Sequence, residues 1–204
     1  MALKITKNTY FIQKTLLFDV FYLFLTKQKL SPMKFNVLNL AKWVAENQDQ
    51  LKPPVGNKEI FPEGDFIVMA VGGPNVRKDY HYNEGAEFFY QIKGDIILKI
   101  IENGAFRDVE IKEGDIYLLN AKIPHSPQRP AGTIGLVVEE RRKDFQTDGF
   151  QWYCDNCKHL LFEEYFKLTD ISEQLPATFA KFNANTELHK CKNCGEVLQV
   201  PQKK

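Results

Sequence analysis

Residues 77–129 decide the fold, and their most informative segments are, in chain order, Arg77-Lys-Asp-Tyr-His81, Glu84-Gly-Ala-Glu87-Phe-Phe-Tyr-Gln-Ile-Lys-Gly94, Gly114-Asp-Ile-Tyr-Leu-Leu-Asn120 and Pro124-His125-Ser-Pro-Gln-Arg129. Apolar and polar residues alternate within these segments, and glycines stand at the turns between them. This pattern is typical of short antiparallel strands.

The same pattern extends outward from this stretch. Apolar or alternating runs cover residues 65–71, 106–111 and 133–139, and Asn103-Gly104 is a hairpin signal. Short strands at regular intervals predict a mainly β fold, either a small barrel or a double-sheet jelly roll. A few short helices are expected beside it: residues 36–50 have helical spacing, whereas Leu175-Pro176 predicts a break within residues 165–184.

Composition limits the possible partners. The chain has 204 residues, 44% of them hydrophobic and 26% charged, with a net charge of +1. These values are ordinary for a globular protein. A nearly neutral chain argues against nucleic acid or an anionic membrane as its main partner.

The first 32 residues are set apart by their composition. Residues 10–25 are the most apolar run, but the run is short and is interrupted by Lys14 and Asp19, so we expect no membrane span. No small-residue cleavage site follows it. Met33 precedes what reads as an ordinary domain start. We therefore expect residues 1–32 to be a non-essential extension.

His81, Glu87 and His125 form a candidate metal site. Two histidines and one carboxylate that converge from separated strands are the ligands of a mononuclear iron centre with open positions. Alternation would place Glu87, Phe89 and Gln91 on one face of a strand. The residues alone also allow a plainer interpretation, in which each histidine is a surface or satisfied core residue and Glu87 is solvated.

Four cysteines form a second candidate metal site near the C-terminus. Cys154-Asp-Asn-Cys157 and Cys191-Lys-Asn-Cys194 are two Cys-x-x-Cys pairs separated by 33 residues. Such pairs predict a closed tetrahedral site for zinc or a single iron, and a reducing compartment. A redox role is the alternative, but the βαβ context of a thioredoxin is missing. His159 and His189 lie nearby and are predicted not to be ligands.

The central stretch resembles the two motifs of the cupin superfamily. His81, Glu87 and Gly94 match the first motif, and six residues separate Glu87 from Gly94 as the motif requires. Asn83 stands where that motif has its second histidine. This departure leaves a site of two histidines and one glutamate, which favours a non-haem Fe(II) oxygenase.

Five segments extend the resemblance to the 3-hydroxyanthranilate 3,4-dioxygenase family along nearly all of residues 33–200. They are Gly-Gly-Pro-Asn-x-Arg-x-Asp-Tyr-His, Glu-Phe-Phe-Tyr-Gln-x-Lys-Gly, Glu-Gly-Asp-Ile-x-Leu-Leu, Pro-His-Ser-Pro-Gln-Arg-Pro and Gly-Leu-Val-Val-Glu. The trailing cysteine pairs resemble the bacterial and fungal type. The resemblance implies a cupin catalytic domain over residues 33–148 and a rubredoxin-like four-cysteine metal-binding segment over residues 149–204.

The resemblance also implies the chemistry. Fe(II) on His81, Glu87 and His125 would bind 3-hydroxyanthranilate and O2, and the product would be 2-amino-3-carboxymuconate semialdehyde, which cyclises to quinolinate in the kynurenine route to NAD. Arg77 would lie beside dioxygen and Arg129 would bind the substrate carboxylate. Glu139, rather than Glu140, would take the phenol proton or hold the amine.

The family resemblance further implies iron at the four-cysteine site, a homodimer and a cytoplasmic enzyme, whereas the residues themselves leave iron and zinc open.

Two other functions compete with the ring-cleaving dioxygenase. A non-catalytic cupin that senses a small carboxylate would not need Arg77, Arg129 and Glu139 together, and no DNA-binding helix pair is evident. A sugar-phosphate isomerase would need a phosphate-binding feature, and none is evident either.

Overall fold

The structure is a computed structural model that describes residues 37–53, 56–75, 77–168 and 171–200. The predicted extension over residues 1–32 lies outside the described residues. The chain divides into two units, residues 1–40 and 41–204, and the fold described below is that of the second unit.

Eleven strands and four helical segments make up the described chain. The strands are β1 Asn57–Glu59, β2 Phe66–Gly72, β3 Asp79–Asn83, β4 Glu87–Lys93, β5 Ile96–Glu102, β6 Ala105–Ile111, β7 Ile116–Leu119, β8 His125–Gln128, β9 Ile134–Glu140, β10 Asp148–Tyr153 and β11 Leu160–Phe166. The α-helices are α1 Leu40–Glu46 and α2 Ile171–Ala184, and the 3-10 helices are η1 Gln48–Leu51 and η2 Thr186–His189.

The strands form two antiparallel sheets. One has the order β1-β2-β9-β4-β7 and the other β11-β10-β3-β8-β5-β6. Neighbours along the chain often lie in different sheets, as in a double-sheet jelly roll. The predicted mainly β, cupin-type fold is confirmed.

Alternation along the strands builds the interior between the sheets. On β4, Glu87, Phe89 and Gln91 are 5%, 3% and 1% exposed, so the predicted shared face is confirmed. The apolar part of this interior is Phe89, Ile96, Leu98, Ile100, Ile111, Leu119 and Val137. Polar groups at the same inward positions therefore lie in a largely apolar interior, where an unpartnered charge is costly.

The predicted hairpin at Asn103-Gly104 is confirmed. These two residues join β5 to β6, and both have positive φ, 50° and 76°. Two consecutive residues of this kind form the turn whose twist matches that of the flanking strands. The hairpin places β6 at the edge of the six-stranded sheet.

Of the two predictions about helices, one is confirmed in part and the other is wrong. The helix predicted over residues 36–50 is present only in part, because α1 begins at Leu40 and Val37 is fully exposed. The break predicted at Leu175-Pro176 is wrong, since α2 runs through both residues. Proline removes one backbone donor near the start of this helix. The packing of Leu175, Phe179 and Phe182 against the C-terminal core outweighs that loss.

Strand β10 connects the barrel to the cysteine segment. It pairs with β3 on one side and β11 on the other, and its register places Phe150 opposite His81. The predicted domain boundary at residues 148/149 falls at the start of this strand, and the domain limits stay predictions. No helix among the described residues is long and apolar enough to cross a membrane.

Candidate active site

Three strands bring together the predicted iron ligands. His81 on β3 pairs directly with His125 on β8, and Glu87 begins β4 in the facing sheet. Glu87 Oε1 lies 3.6 Å from His81 Nδ1, and Glu87 Oε2 lies 3.3 Å from His125 Nε2. All three donor atoms lie within 4.8 Å of one another, so one ion can contact them all.

Hydrogen bonds select which imidazole nitrogens face this cluster. His81 Nε2 lies 2.8 Å from Asp148 Oδ1, and His125 Nδ1 lies 3.1 Å from the carbonyl oxygen of Ile123. Both oxygens accept, so these nitrogens carry the protons. His81 Nδ1 and His125 Nε2 are therefore the ring nitrogens that face Glu87, and they are the ones that can ligate a metal in their deprotonated form.

The charges in the cluster also suit a cation. Burial lowers the pKa of His81 and keeps the ring neutral, despite the nearby carboxylates of Asp148 and Glu87. Burial alone would raise the pKa of Glu87, but the charge of His125 and the hydrogen bond from it hold that pKa well below its ordinary value. Burial alone would lower the pKa of His125, but the same contact with Glu87 raises it, so a cation that binds here takes the place of a proton on His125. Two imidazole nitrogens and an ionised carboxylate are the donor set of non-haem Fe(II) centres with open positions.

Asn83 adds no ligand to the cluster. Its Nδ2 donates to Glu87 Oε1 at 3.1 Å and to Glu139 Oε2 at 2.9 Å. Its Oδ1 accepts the backbone N–H of Gly85 at 2.7 Å. The side chain is thus committed to orienting two carboxylates.

A cavity of about 490 Å³ opens over the cluster. This volume is within the usual range for a small-molecule site. Among its lining residues are the six predicted site residues Arg77, His81, Glu87, His125, Arg129 and Glu139, together with the apolar Ile67, Met69, Val71, Phe89 and Val137. The fold therefore gathers every predicted site residue of the barrel around one space.

Arg129 is a buried cation without an acidic partner among the described residues. It is 2% exposed, its Nη1 donates to Gln91 Oε1 at 3.2 Å, and its Nε has no partner. Burial, followed by the charge of Arg77, lowers the pKa of Arg129 to about 10. Gly135 makes room for it, because a Cβ there would lie 2.7 Å from Arg129 Nη1. The cavity thus holds a buried guanidinium whose Nε is free to donate to a ligand.

Arg77 differs from Arg129 in being paired. Its guanidinium contacts Asp79, with Nε at 3.1 Å from Oδ2. Burial works to lower the pKa of Arg77, but Asp79 outweighs it and the pKa is raised. Arg77 thus stays charged at the cavity wall, held in place by a carboxylate that sequence reasoning missed.

Glu139 faces the cavity from β9, whereas the side chain of Glu140 is 54% exposed. Glu139 Oε2 accepts from Asn83 Nδ2 and, at 2.8 Å, from Arg142 Nη1. Burial and then the charge of Glu87 raise the pKa of Glu139 to about 7, although Arg142 opposes the shift. A carboxyl group with such a pKa can exchange a proton near neutral pH.

Sequence reasoning missed three residues around His81 and Glu139. Asp148 is fully buried and contacts His81, Arg142 joins Asp148 to Glu139, and Phe150 stacks on the His81 ring with centroids 5.2 Å apart. No local sequence signal marks Asp148 as buried. It reaches His81 only through the pairing of β10 with β3.

The four cysteines meet at the far end of β10. Cys154 Sγ lies 3.5 Å from Cys194 Sγ, and Cys157 Sγ lies 3.5 Å from Cys191 Sγ. Sulfurs around a tetrahedral ion with bonds of about 2.3 Å are separated by roughly 3.8 Å, so this cluster fits such a site.

The surroundings favour thiolate at Cys157 but not at Cys194, where a hydrogen bond from the backbone of Glu196 is outweighed by contacts with the other cysteines, led by Cys157, and the pKa is raised to about 11. A hydrogen bond from the Asn193 side chain, followed by one from the backbone N–H of His159, lowers the pKa of Cys157 to about 6. All four thiols are free of disulfides. Neither His159 nor His189 belongs to the cluster, and His189 Nε2 lies 3.0 Å from the carbonyl oxygen of Phe182.

The sequence matches the model of the 3-hydroxyanthranilic acid dioxygenase family over residues 33–183. It is 48% identical over 166 residues to "3-hydroxyanthranilate 3,4-dioxygenase" of Xanthomonas campestris pv. campestris (strain B100), covering 81% of this chain and 94% of that relative. It is 45% identical over 161 residues to the protein of the same name from Bacillus thuringiensis (strain Al Hakam), covering 78% and 90%.

Solved structures give lower similarity. A cupin-2 domain protein from Shewanella frigidimarina matches with a TM-score of 0.41 and 13% identity, covering 52% of this chain and 95% of that one. Protein NMB1881 from Neisseria meningitidis matches with a TM-score of 0.43 and 16% identity, covering 52% and 100%.

Proposed function

The chain belongs to the 3-hydroxyanthranilic acid dioxygenase family, and we propose that it is the Fe(II)-dependent enzyme that cleaves the ring of 3-hydroxyanthranilate with O2. The bond between ring carbons 3 and 4 breaks, and both oxygen atoms enter the product. That product is 2-amino-3-carboxymuconate semialdehyde, which cyclises to quinolinate on the kynurenine route to NAD.

Arg129 carries the proposal. A buried guanidinium with an unpartnered Nε and no acidic neighbour among the described residues is unfavourable by itself. An aromatic carboxylate would balance its charge and accept two parallel hydrogen bonds from it. The apolar wall that includes Met69, Phe89 and Val137 suits the ring of such a ligand.

The donor set of His81, Glu87 and His125 fits Fe(II), and these residues would hold it. When bound, Fe(II) supplies a Lewis acid for the phenol and amine groups and passes electrons between ring and dioxygen. The four cysteines would hold a second iron, or zinc, in a closed site without a place for substrate.

The chain's own residues do the rest. Arg129 binds the carboxylate and fixes the position of the ring. Glu139, whose Oε2 is held by Asn83 and Arg142, takes the phenol proton on its other carboxylate oxygen, Oε1. Arg77, held by Asp79, keeps a positive charge beside the reacting oxygen atoms. The apolar wall excludes water from the space between these groups.

A homodimer is proposed as the assembled form. The outward face of β2, β9, β4 and β7 is largely apolar, although Glu140 lies on it opposite Phe66. Its apolar and tyrosine side chains include Phe66, Val68, Phe88, Tyr90, Ile116, Leu118, Leu136 and Val138. Ile116 and Leu118 are 67% and 61% exposed on an edge strand. Such a patch is typical of an interface between subunits. Sedimentation velocity of the unaltered protein and of Leu118→Lys tests the dimer, which should be present in the first and weakened in the second.

The cytoplasm is the proposed location, because a four-thiolate metal site needs a reducing compartment.

A binding experiment tests the role of Arg129. Metal-loaded protein should bind 3-hydroxyanthranilate at least tenfold more tightly than 2-aminophenol, which lacks the carboxylate. Arg129→Met should remove that preference, whereas Arg107→Met should keep it, since Arg107 lies on the surface and pairs with Glu102. Equal affinity of the unaltered protein for the two compounds would contradict the proposal.

A further inference from the structure

Arg142 lies outside the family motifs but lines the same cavity, and it connects two carboxylates there. Its Nη1 donates to Glu139 Oε2 at 2.8 Å. Its other nitrogens form a bidentate pair with Asp148, Nη2 to Oδ1 at 2.7 Å and Nε to Oδ2 at 2.8 Å. The side chain is 7% exposed, so this is a buried network with little competition from water.

Asp148 passes this connection to a metal ligand. Its Oδ1 also lies 2.8 Å from His81 Nε2, and the carboxylate is completely buried. Both of its oxygens are engaged by Arg142, so the carboxylate cannot rotate away from His81. A carboxylate in this position fixes the tautomer and the tilt of a ligating imidazole.

Asn83 connects Glu139 to the third candidate metal ligand, Glu87. It bonds Glu87 Oε1 and Glu139 Oε2. A continuous path of hydrogen bonds therefore runs from His81 through Asp148, Arg142, Glu139 and Asn83 to Glu87. Among the described residues, Arg142 alone contacts both Asp148 and Glu139.

We propose that Arg142 is a positioning residue that sets two groups at once: the His81 ring, through Asp148, and the Glu139 carboxylate, directly. The part that concerns Glu139 rests on the proposed function, and the part that concerns His81 does not. Three contacts at fixed angles need a planar guanidinium. Lysine supplies the charge but not the fork.

Loss of Arg142 affects each group differently. Asp148 would keep His81 as its partner, but its second oxygen would have none, so the imidazole could tilt. Glu139 would be held by Asn83 alone. Arg129 is not part of this network, and substrate affinity should therefore change little.

The test compares Arg142→Met, Arg142→Lys and the surface control Arg107→Met, each with its cysteine site intact. Co(II) affinity at the barrel site is measured by calorimetry and by the visible spectrum of bound Co(II), and kcat and KM are measured with Fe(II) at saturation. Melting temperatures identify any variant that does not fold. If Arg142→Met does not fold, the lysine variant carries the comparison.

Arg142→Met should weaken Co(II) binding by about 10- to 100-fold, the usual effect of removing a group that supports a metal ligand. It should lower kcat by at least roughly tenfold and change KM less than about threefold, because Arg129 is untouched. Arg142→Lys should recover only part of either loss. Arg107→Met should match the unaltered protein.

Two results would overturn the proposal. One is a folded Arg142→Met protein with unaltered Co(II) affinity and Co(II) spectrum. The other is complete recovery in Arg142→Lys, which would make charge sufficient and geometry irrelevant. If the unaltered protein turns over no 3-hydroxyanthranilate, the proposed function fails, yet the Co(II) measurements still decide the connection to His81.

Discussion

Asn83 Nδ2 lies 3.1 Å from Glu87 Oε1, at the position where the cupin motif has a second histidine. The side chain that could have been a fourth ligand is instead a hydrogen-bond donor to the third. This exchange leaves the cluster with three candidate metal ligands, and Asn83 connects Glu87 to Glu139. Coordination space is therefore kept for small molecules.

Restoring the motif histidine should reduce that space. We expect Asn83→His to bind Co(II) roughly tenfold more tightly and to lower turnover by a similar factor, because a fourth side chain would occupy a position that the substrate needs. Asn83→Ala, which adds no ligand, should not gain metal affinity. Metal titration and steady-state kinetics measure both. An Asn83→His enzyme with unchanged affinity and turnover would disprove this account of Asn83.

Substitution of Arg129 and substitution of Arg77 should affect different kinetic constants. Arg129→Ala should raise KM by roughly a hundredfold, since hydrogen bonds to a charged group contribute about 1.5–3 kcal/mol each. Arg77→Ala should mainly lower kcat, by about 10²–10³, as when one stabilising donor is lost from a transition state. Steady-state kinetics at saturating Fe(II) give both values. Unchanged kinetics in both variants would reject the assigned roles.

The pH profile should report Glu139. Burial and Glu87 raise its pKa to about 7, and only the deprotonated form accepts a proton, so kcat/KM should increase as the pH rises through this region. Arg142 opposes the shift, so Arg142→Met should move the rise to higher pH. Glu139→Gln should remove it. A rise at the same pH in all three proteins would assign it to another group.

The four-cysteine cluster should be structural. Cys194→Ser should release one metal ion per chain and lower the melting temperature, because a closed site supplies folding energy through its metal. His159→Ala serves as the control, since His159 lies beside the cluster but outside it. Metal analysis and calorimetry measure both quantities. Equal metal content in Cys194→Ser and the unaltered protein would remove Cys194 from the ligand set.

The sequence was informative where the signal is local or belongs to a motif. Alternation on one strand was enough to group Glu87 with Phe89 and Gln91, and Asn103-Gly104 marked its own turn. The cysteine spacing indicated its cluster without any knowledge of the fold.

The contacts behind His81 could not be predicted. Asp148 is 67 residues from His81 along the chain and reaches it only through the pairing of β10 with β3. Arg142 stands in a charged run that resembles a solvated loop, yet burial and two carboxylates make it part of the site. The helix break predicted at Pro176 was wrong because a local rule was overridden: packing against the C-terminal core continues a helix that the proline alone would have ended.

Oxygen-dependent ring cleavage tests the central claim most directly. Metal-free protein is loaded with Fe(II) without air, mixed with 3-hydroxyanthranilate and then exposed to isotopically labelled O2. The account predicts the chromophore of the muconate semialdehyde only in the Fe(II)-loaded sample, with labelled oxygen in the ring-opened product by mass. Fe(II)-loaded protein that binds the substrate but leaves its ring intact in the presence of O2 would contradict it.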